Sequence, residues 1–132
     1  MDLKSFKTDP SLDEGAWVNL GDAELKIARL GSPRYLSAVA RRLKPHREAI
    51  ELGVMPDAQA QEIEIELLAD FILLDWKNVE LDGATLAYSR ENAIRALEIE
   101  VFRNWVKDQA RDLENYRARD TAATVEAVVF EV

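Results

Sequence analysis

Residues 58–76 constrain this chain more than any other segment. Apolar side chains fall on it in two stripes at helical spacing. Ile63, Leu67, Phe71 and Leu74 lie on one side, and Ile65, Leu68, Ile72 and Trp76 lie nearly opposite. A helix with two apolar sides either sits at the centre of a small bundle or leaves one face for another polypeptide. Glu62-Ile63-Glu64-Ile65-Glu66 also alternates like a strand. The periodicity runs on to Trp76 over a length typical of helices, so the segment reads as a single helix, with Asp57 placed to cap it.

The rest of the chain arranges itself around that helix. Residues 1–14 are polar and read as a flexible arm. Two extended runs within 16–29 flank Gly21-Asp22, and glycine at the first central position suits a two-residue hairpin of the II′ type. Ser32-Pro33 opens a helix whose apolar face holds Tyr35, Leu36, Val39 and Leu43. Lys44-Pro45 should break it, and a short piece from His46 to Leu52 should stop at Gly53. Asp82-Gly83 signals a turn, and Ser89 caps a further helix. The spacing leaves open whether residues 90–117 are one helix or two. The β-branched tail at 124–132 reads either as a strand joining the hairpin or as a sticky disordered end. The expected fold is mainly α: a small domain of three to five helices over 15–117 with an N-terminal hairpin, and a C-terminal tail at 118–132.

Residue inventory excludes several chemistries. There is no cysteine, hence no disulfide, thiolate nucleophile or Cys-based metal site. The single histidine, His46, sits among Lys44, Pro45 and Arg47, a setting that makes a poor base and a poor ligand. Glu62, Glu64 and Glu66 are spaced i, i+2, which does not bring them to one helical face, so they read as solvated charges and not as a shared metal site. No phosphate loop or nucleophile elbow is present. The expectation is a protein that is not an enzyme and uses no cofactor. No run reaches the roughly 18 apolar residues of a membrane span, and the N-terminus lacks a charged-then-apolar signal, so a cytoplasmic protein without membrane partners is expected.

Charge is distributed in blocks. The 132 residues carry 17 basic and 25 acidic side chains, net −8, which argues against nucleic acid as a partner. From Lys26 to Arg47 there are seven basic residues and no acidic one; from Glu48 to Asp82 there are ten acidic residues and one basic, Lys77. Such blocks either attract each other as neighbouring helices or steer two partners. Trp17, Trp76 and Trp105 read as core residues or as interface anchors. The residues singled out for partner binding are Ile65, Leu68, Ile72 and Trp76 on the second stripe, together with Trp105.

Two strings carry a likeness. W-V-N-L-G-D-A-E-L-K-I-A-R-L-G-S-P-R-Y, residues 17–35, resembles the opening of tail assembly chaperones of long-tailed bacteriophages. W-K-N-V-E-L-D-G-A-T-L-A-Y-S-R-E-N-A, residues 76–93, is similar to that family's middle signature, and the segment with Phe102, Trp105, Val106 and Leu113 resembles its closing one. Ser32-Pro33 departs from the pattern, which would place Asn before the Tyr. The resemblance implies a non-enzymatic helper in tail assembly that coats the tape measure protein, recruits tail tube subunits and self-associates. Two other readings stay open: a head–tail connector or completion protein retained in the virion, and a small acidic regulatory binding protein.

Overall fold

The structure, a computed structural model, describes residues 1–117. The reading of 118–132 as an extended tail therefore lies outside the described residues. The first fourteen residues, expected as a loose arm, carry local structure. A 3₁₀ turn spans Leu3–Phe6, and Asp9 caps a one-turn helix α1 (Pro10–Asp13), accepting from the Ser11 N–H. Strand β1 (Ala16–Leu20) then pairs antiparallel with β2 (Ala23–Ile27), from Ala16↔Ile27 to Leu20↔Ala23. Gly21 has φ +62°, the sign that the first position of a II′ turn requires. Helix α2 (Pro33–Leu43) starts with Pro33 in the first turn, while Ser32 makes no side-chain cap bond. Pro45 breaks it as expected: a 3₁₀ turn at Lys44–His46 leads into the short helix α3 (Arg47–Glu51). The chain leaves α3 through Gly53 at φ +69°, with the Val54 N–H bonded to the Ala49 carbonyl.

The segment 58–76 is not one helix, and this changes the fold class. Helix α4 (Asp57–Phe71) ends at Ile72, and within one residue the chain becomes strand β3 (Leu73–Lys77). β3 pairs antiparallel with β2, Leu25 opposite Trp76 and Ile27 opposite Leu73, with an irregularity between Lys26 and Ile27. The hairpin thus becomes a three-stranded sheet in the order β1-β2-β3. The fold is α+β, not the mainly α domain expected from the sequence. The physical reason is that an apolar run such as Phe71–Leu74 fits either period. What decides it is non-local: β2 has a second row of backbone N–H and C=O groups, and β3 satisfies them.

A second small hairpin, β4 (Glu80–Leu81) with β5 (Ala84–Thr85), turns at Asp82-Gly83, both at positive φ as a I′ turn requires. Ser89 caps α5 (Arg90–Leu97), its hydroxyl accepting from the Asn92 N–H at 3.0 Å. Ile99 is extended and separates α5 from α6 (Glu100–Arg111), so residues 90–111 form two helices.

The main core lies between the sheet and three helices. Leu25, Ile27 and Trp76 from the sheet meet Ile65, Leu68 and Ile72, then Leu97 of α5 and Val106 of α6. A second cluster on the other side of α4 packs Ile63 and Leu67 against Ala38, with Tyr35, Val39, Leu43 and Phe71 around it. α4 is therefore the central helix, and each of its apolar stripes is covered by its own chain.

Candidate functional site

The five residues singled out for partner binding do not form an exposed patch. Leu68 and Ile72 are fully buried, and Ile65 and Trp76 are each 5% exposed. Trp76 is enclosed by the chain that follows it. Its indole N–H donates to the Leu86 carbonyl at 2.7 Å, and the Tyr88 ring stands edge-on, 5.2 Å away. The Tyr88 hydroxyl donates to the Leu73 carbonyl at 2.9 Å, and burial, then Asp75 and Asp70, push its phenol up. Trp105 is half-buried against the main core and stacks on Phe102. The expectation of a free stripe on the central helix is corrected on this point. A stripe that a bundle leaves open is here covered by the sheet, because the last residues of the segment, from Leu73 on, fold back as β3.

The charge blocks meet only in part. Arg42 of α2 reaches Glu66 of α4 at 2.7 Å, and the Arg34 guanidinium lies over Phe71. Two other acids of α4 look elsewhere: Glu64 pairs with Lys107 and Arg103 of α6, and Asp70 with Arg90 of α5. Arg29 and Arg34 turn to Asp13 and Glu14 near the N-terminus. Among the described residues, Arg41, Lys44 and Arg47 make no ion pair. These three cations sit at the C-terminal end of α2 and the start of α3, beside Glu48 and Glu51 of α3, which likewise make no ion pair among the described residues.

Apolar surface is left at the same place. Ile50, Leu52 and Val54 are 45%, 67% and 64% exposed. Beside them a shallow groove of about 220 Å³ is floored by Ala40, Leu43 and Ile50 and edged by Lys44, Arg47 and Glu51. A five-residue helix between two breakers, Pro45 and Pro56, is too short to bury an apolar face of its own. That shortness was visible in the sequence and is the signal that could have found this surface. A smaller exposed pair, Trp17 and Leu20, lies on β1, where the Lys77 ammonium sits 4.5 Å from the Trp17 ring centroid.

Among the described residues no group of His, Asp and Glu is arranged to hold a metal ion, and no helix is long and apolar enough to cross a membrane. The α3 corner thus presents exposed apolar side chains beside a groove with a mixed rim of Lys44, Arg47 and Glu51.

A family model described as YdaY prophage protein matches residues 30–127, a stretch that contains α2 through α6 and the α3 groove. The chain belongs to the YdaY prophage protein family. Membership makes it a phage-associated protein. Comparison with curated proteins and with solved structures returned no match.

Proposed function

We propose that this prophage protein is a non-enzymatic helper of tail assembly, which binds and solubilises the tape measure protein and brings tail tube subunits to it. The observation that carries the proposal is the α3 corner, where Ile50, Leu52 and Val54 stand exposed beside the groove edged by Lys44, Arg47 and Glu51. An escort of an aggregation-prone helical client needs apolar surface that its own core does not use. It also needs net charge to keep the loaded complex in solution, and the chain carries −8. A helix laid in a groove is the binding mode that fits, with Lys44 and Arg47 placed to meet acids and Glu51 to meet a base beside the client's apolar stripe. The likeness of residues 17–35 and 76–93 to tail assembly chaperones, in a chain of a prophage family, supports the same reading.

The test is co-expression with the tape measure protein of the same prophage, followed by size exclusion. The two should co-elute, and the client should be soluble only in the presence of its helper. The doubly exposed variant Leu52→Glu with Val54→Glu should lose the client while keeping its unfolding midpoint. A client that is equally soluble without the protein overturns the proposal. Presence of the protein in purified particles at ring stoichiometry would instead assign a connector.

A further inference from the structure

One edge of the sheet is open. Leu20 and Ala23 flank the two-residue turn and exchange the first ladder bonds. Alternation along the pair then commits Val18 and Ala16 to β2 and turns the N–H and C=O groups of Trp17 and Asn19 outward. No other backbone group among the described residues bonds to them. β1 reads Ala-Trp-Val-Asn-Leu, without the charge, proline or bulge that blunts a natural edge. The opposite edge is guarded. On β3 the Asp75 carboxylate accepts from the Trp76 N–H at 2.8 Å, the Tyr88 hydroxyl donates to the Leu73 carbonyl, and Asp75 and Lys77 carry charge.

The chain itself carries a segment that fits the open edge. The Tyr116 hydroxyl reaches the carbonyl of Ile27, the residue opposite Ala16, and Arg117 bridges Thr8. The described chain therefore ends at the end of the sheet where β1 begins. Residues 118–123 span up to about 20 Å when extended, which lets 124–130 lie along β1 from its first residue. Thr124-Val125-Glu126-Ala127-Val128-Val129-Phe130 is rich in β-branched residues. At a two-residue period it has Val128 and Phe130 on one side and Ala127 and Val129 on the other. β1 offers an exposed apolar residue on each of its faces to match, Trp17 at 42% and Leu20 at 44% exposed.

We propose that residues 124–130 add to β1 of the same chain as a fourth strand, running parallel to it. The added strand pairs with the outward N–H and C=O groups of Trp17 and Asn19 and covers Trp17 and Leu20. It also closes the edge against strands of other polypeptides, which the same backbone groups would otherwise accept. The inference does not depend on the α3 corner.

Amide hydrogen exchange of the purified full chain, resolved by NMR, tests this. The comparison is with Val128→Pro combined with Val129→Pro, because one of two successive N–H groups must face β1 and proline removes both. In the wild type the Trp17 and Asn19 N–H groups should exchange at least about tenfold more slowly than in the variant. The Val18 and Leu20 N–H groups, bonded to β2, should stay protected in both, which shows that the hairpin is intact. Wild-type protection should not change over an about tenfold range of protein concentration, since the pairing lies within one chain. Unprotected Trp17 and Asn19 amides in the wild type overturn the proposal, and so does protection that survives the two prolines. Protection that rises with concentration overturns it in favour of a second copy on the edge. Loss of Val18 and Leu20 protection in the variant overturns it as well, because the hairpin would then not be a preformed edge.

Discussion

The Tyr116 hydroxyl donates a 2.9 Å hydrogen bond to the carbonyl of Ile27, joining residues 89 positions apart. Tyr116 is fully buried, and its own carbonyl accepts from the Asp9 N–H at 2.6 Å. Strand β2, the N-terminal segment and the last described turn are therefore held at one point. Alongside it, Thr8 bridges Arg117, Leu30 bonds to the Ala110 carbonyl, and Arg29 pairs with Asp13. Tyr116→Phe leaves a buried carbonyl without this donor. It should destabilise the fold by about 1–2 kcal/mol, read as a lower urea midpoint at unchanged slope.

Stability should also fall in alkali. Burial pushes the Tyr116 phenol well above the ordinary tyrosine range, and burial, then Glu64, raises Tyr35; Tyr88 is raised as well. A phenol raised in the folded state contributes stability that is complete below its unfolded value, near about 10, and is lost as pH rises through the folded value. Urea midpoints should be level up to about pH 9 and drop above about pH 10, with a shallower drop in Tyr116→Phe. A midpoint that rises in that window would contradict the assignment.

Leu68 and Leu52 should separate core from surface. Leu68 is fully buried and Leu52 is 67% exposed. Leu68→Ala should cost about 2–5 kcal/mol through lost burial and a residual cavity, and Leu52→Ala should stay within about 0.5 kcal/mol. Chemical denaturation of the two variants side by side checks the ranking. Leu68→Glu should fail to fold, which makes it unsuited to mapping a partner surface.

Arg103 is a buried cation. It is 6% exposed, donates to the Leu97 carbonyl at 2.8 Å and lies 3.6 Å from Glu64, which also holds Lys107 at 2.8 Å. Removing Glu64 leaves that charge without its counterion, so Glu64→Ala should destabilise by about 1–3 kcal/mol, the part-exposed carboxylate keeping the loss below that of a fully buried pair. Exchanging an exposed acid such as Glu62 for alanine should change little. Equal effects at the two positions would remove Arg103–Glu64 as a stabilising contact.

Much of the local structure was legible in the chain. Gly21-Asp22 and Asp82-Gly83 sit in turns, Ser89 caps α5 and Pro45 divides α2 from α3, because backbone conformation at glycine, proline and capping residues depends on their nearest neighbours. The two apolar sides of residues 58–71 were legible too, and both are buried on either side of α4.

That the second stripe is covered was not legible. Ile65, Leu68, Ile72 and Trp76 show helical spacing, and spacing does not reveal what lies opposite. Covering them required β3 to leave the helix at Ile72 and pair with β2, nearly fifty residues earlier in the chain, and required Leu86 and Tyr88 to close over Trp76. By itself the sequence determined the turns, the Ser89 cap, the helix breaks and the central two-sided segment, all short-range consequences of backbone sterics and side-chain period; Ser32 and Asp57, also read as caps, make no cap bond. Only the tertiary structure decided that the fold is α+β and that the second stripe is core, because strand pairing and burial are settled between segments far apart in the chain.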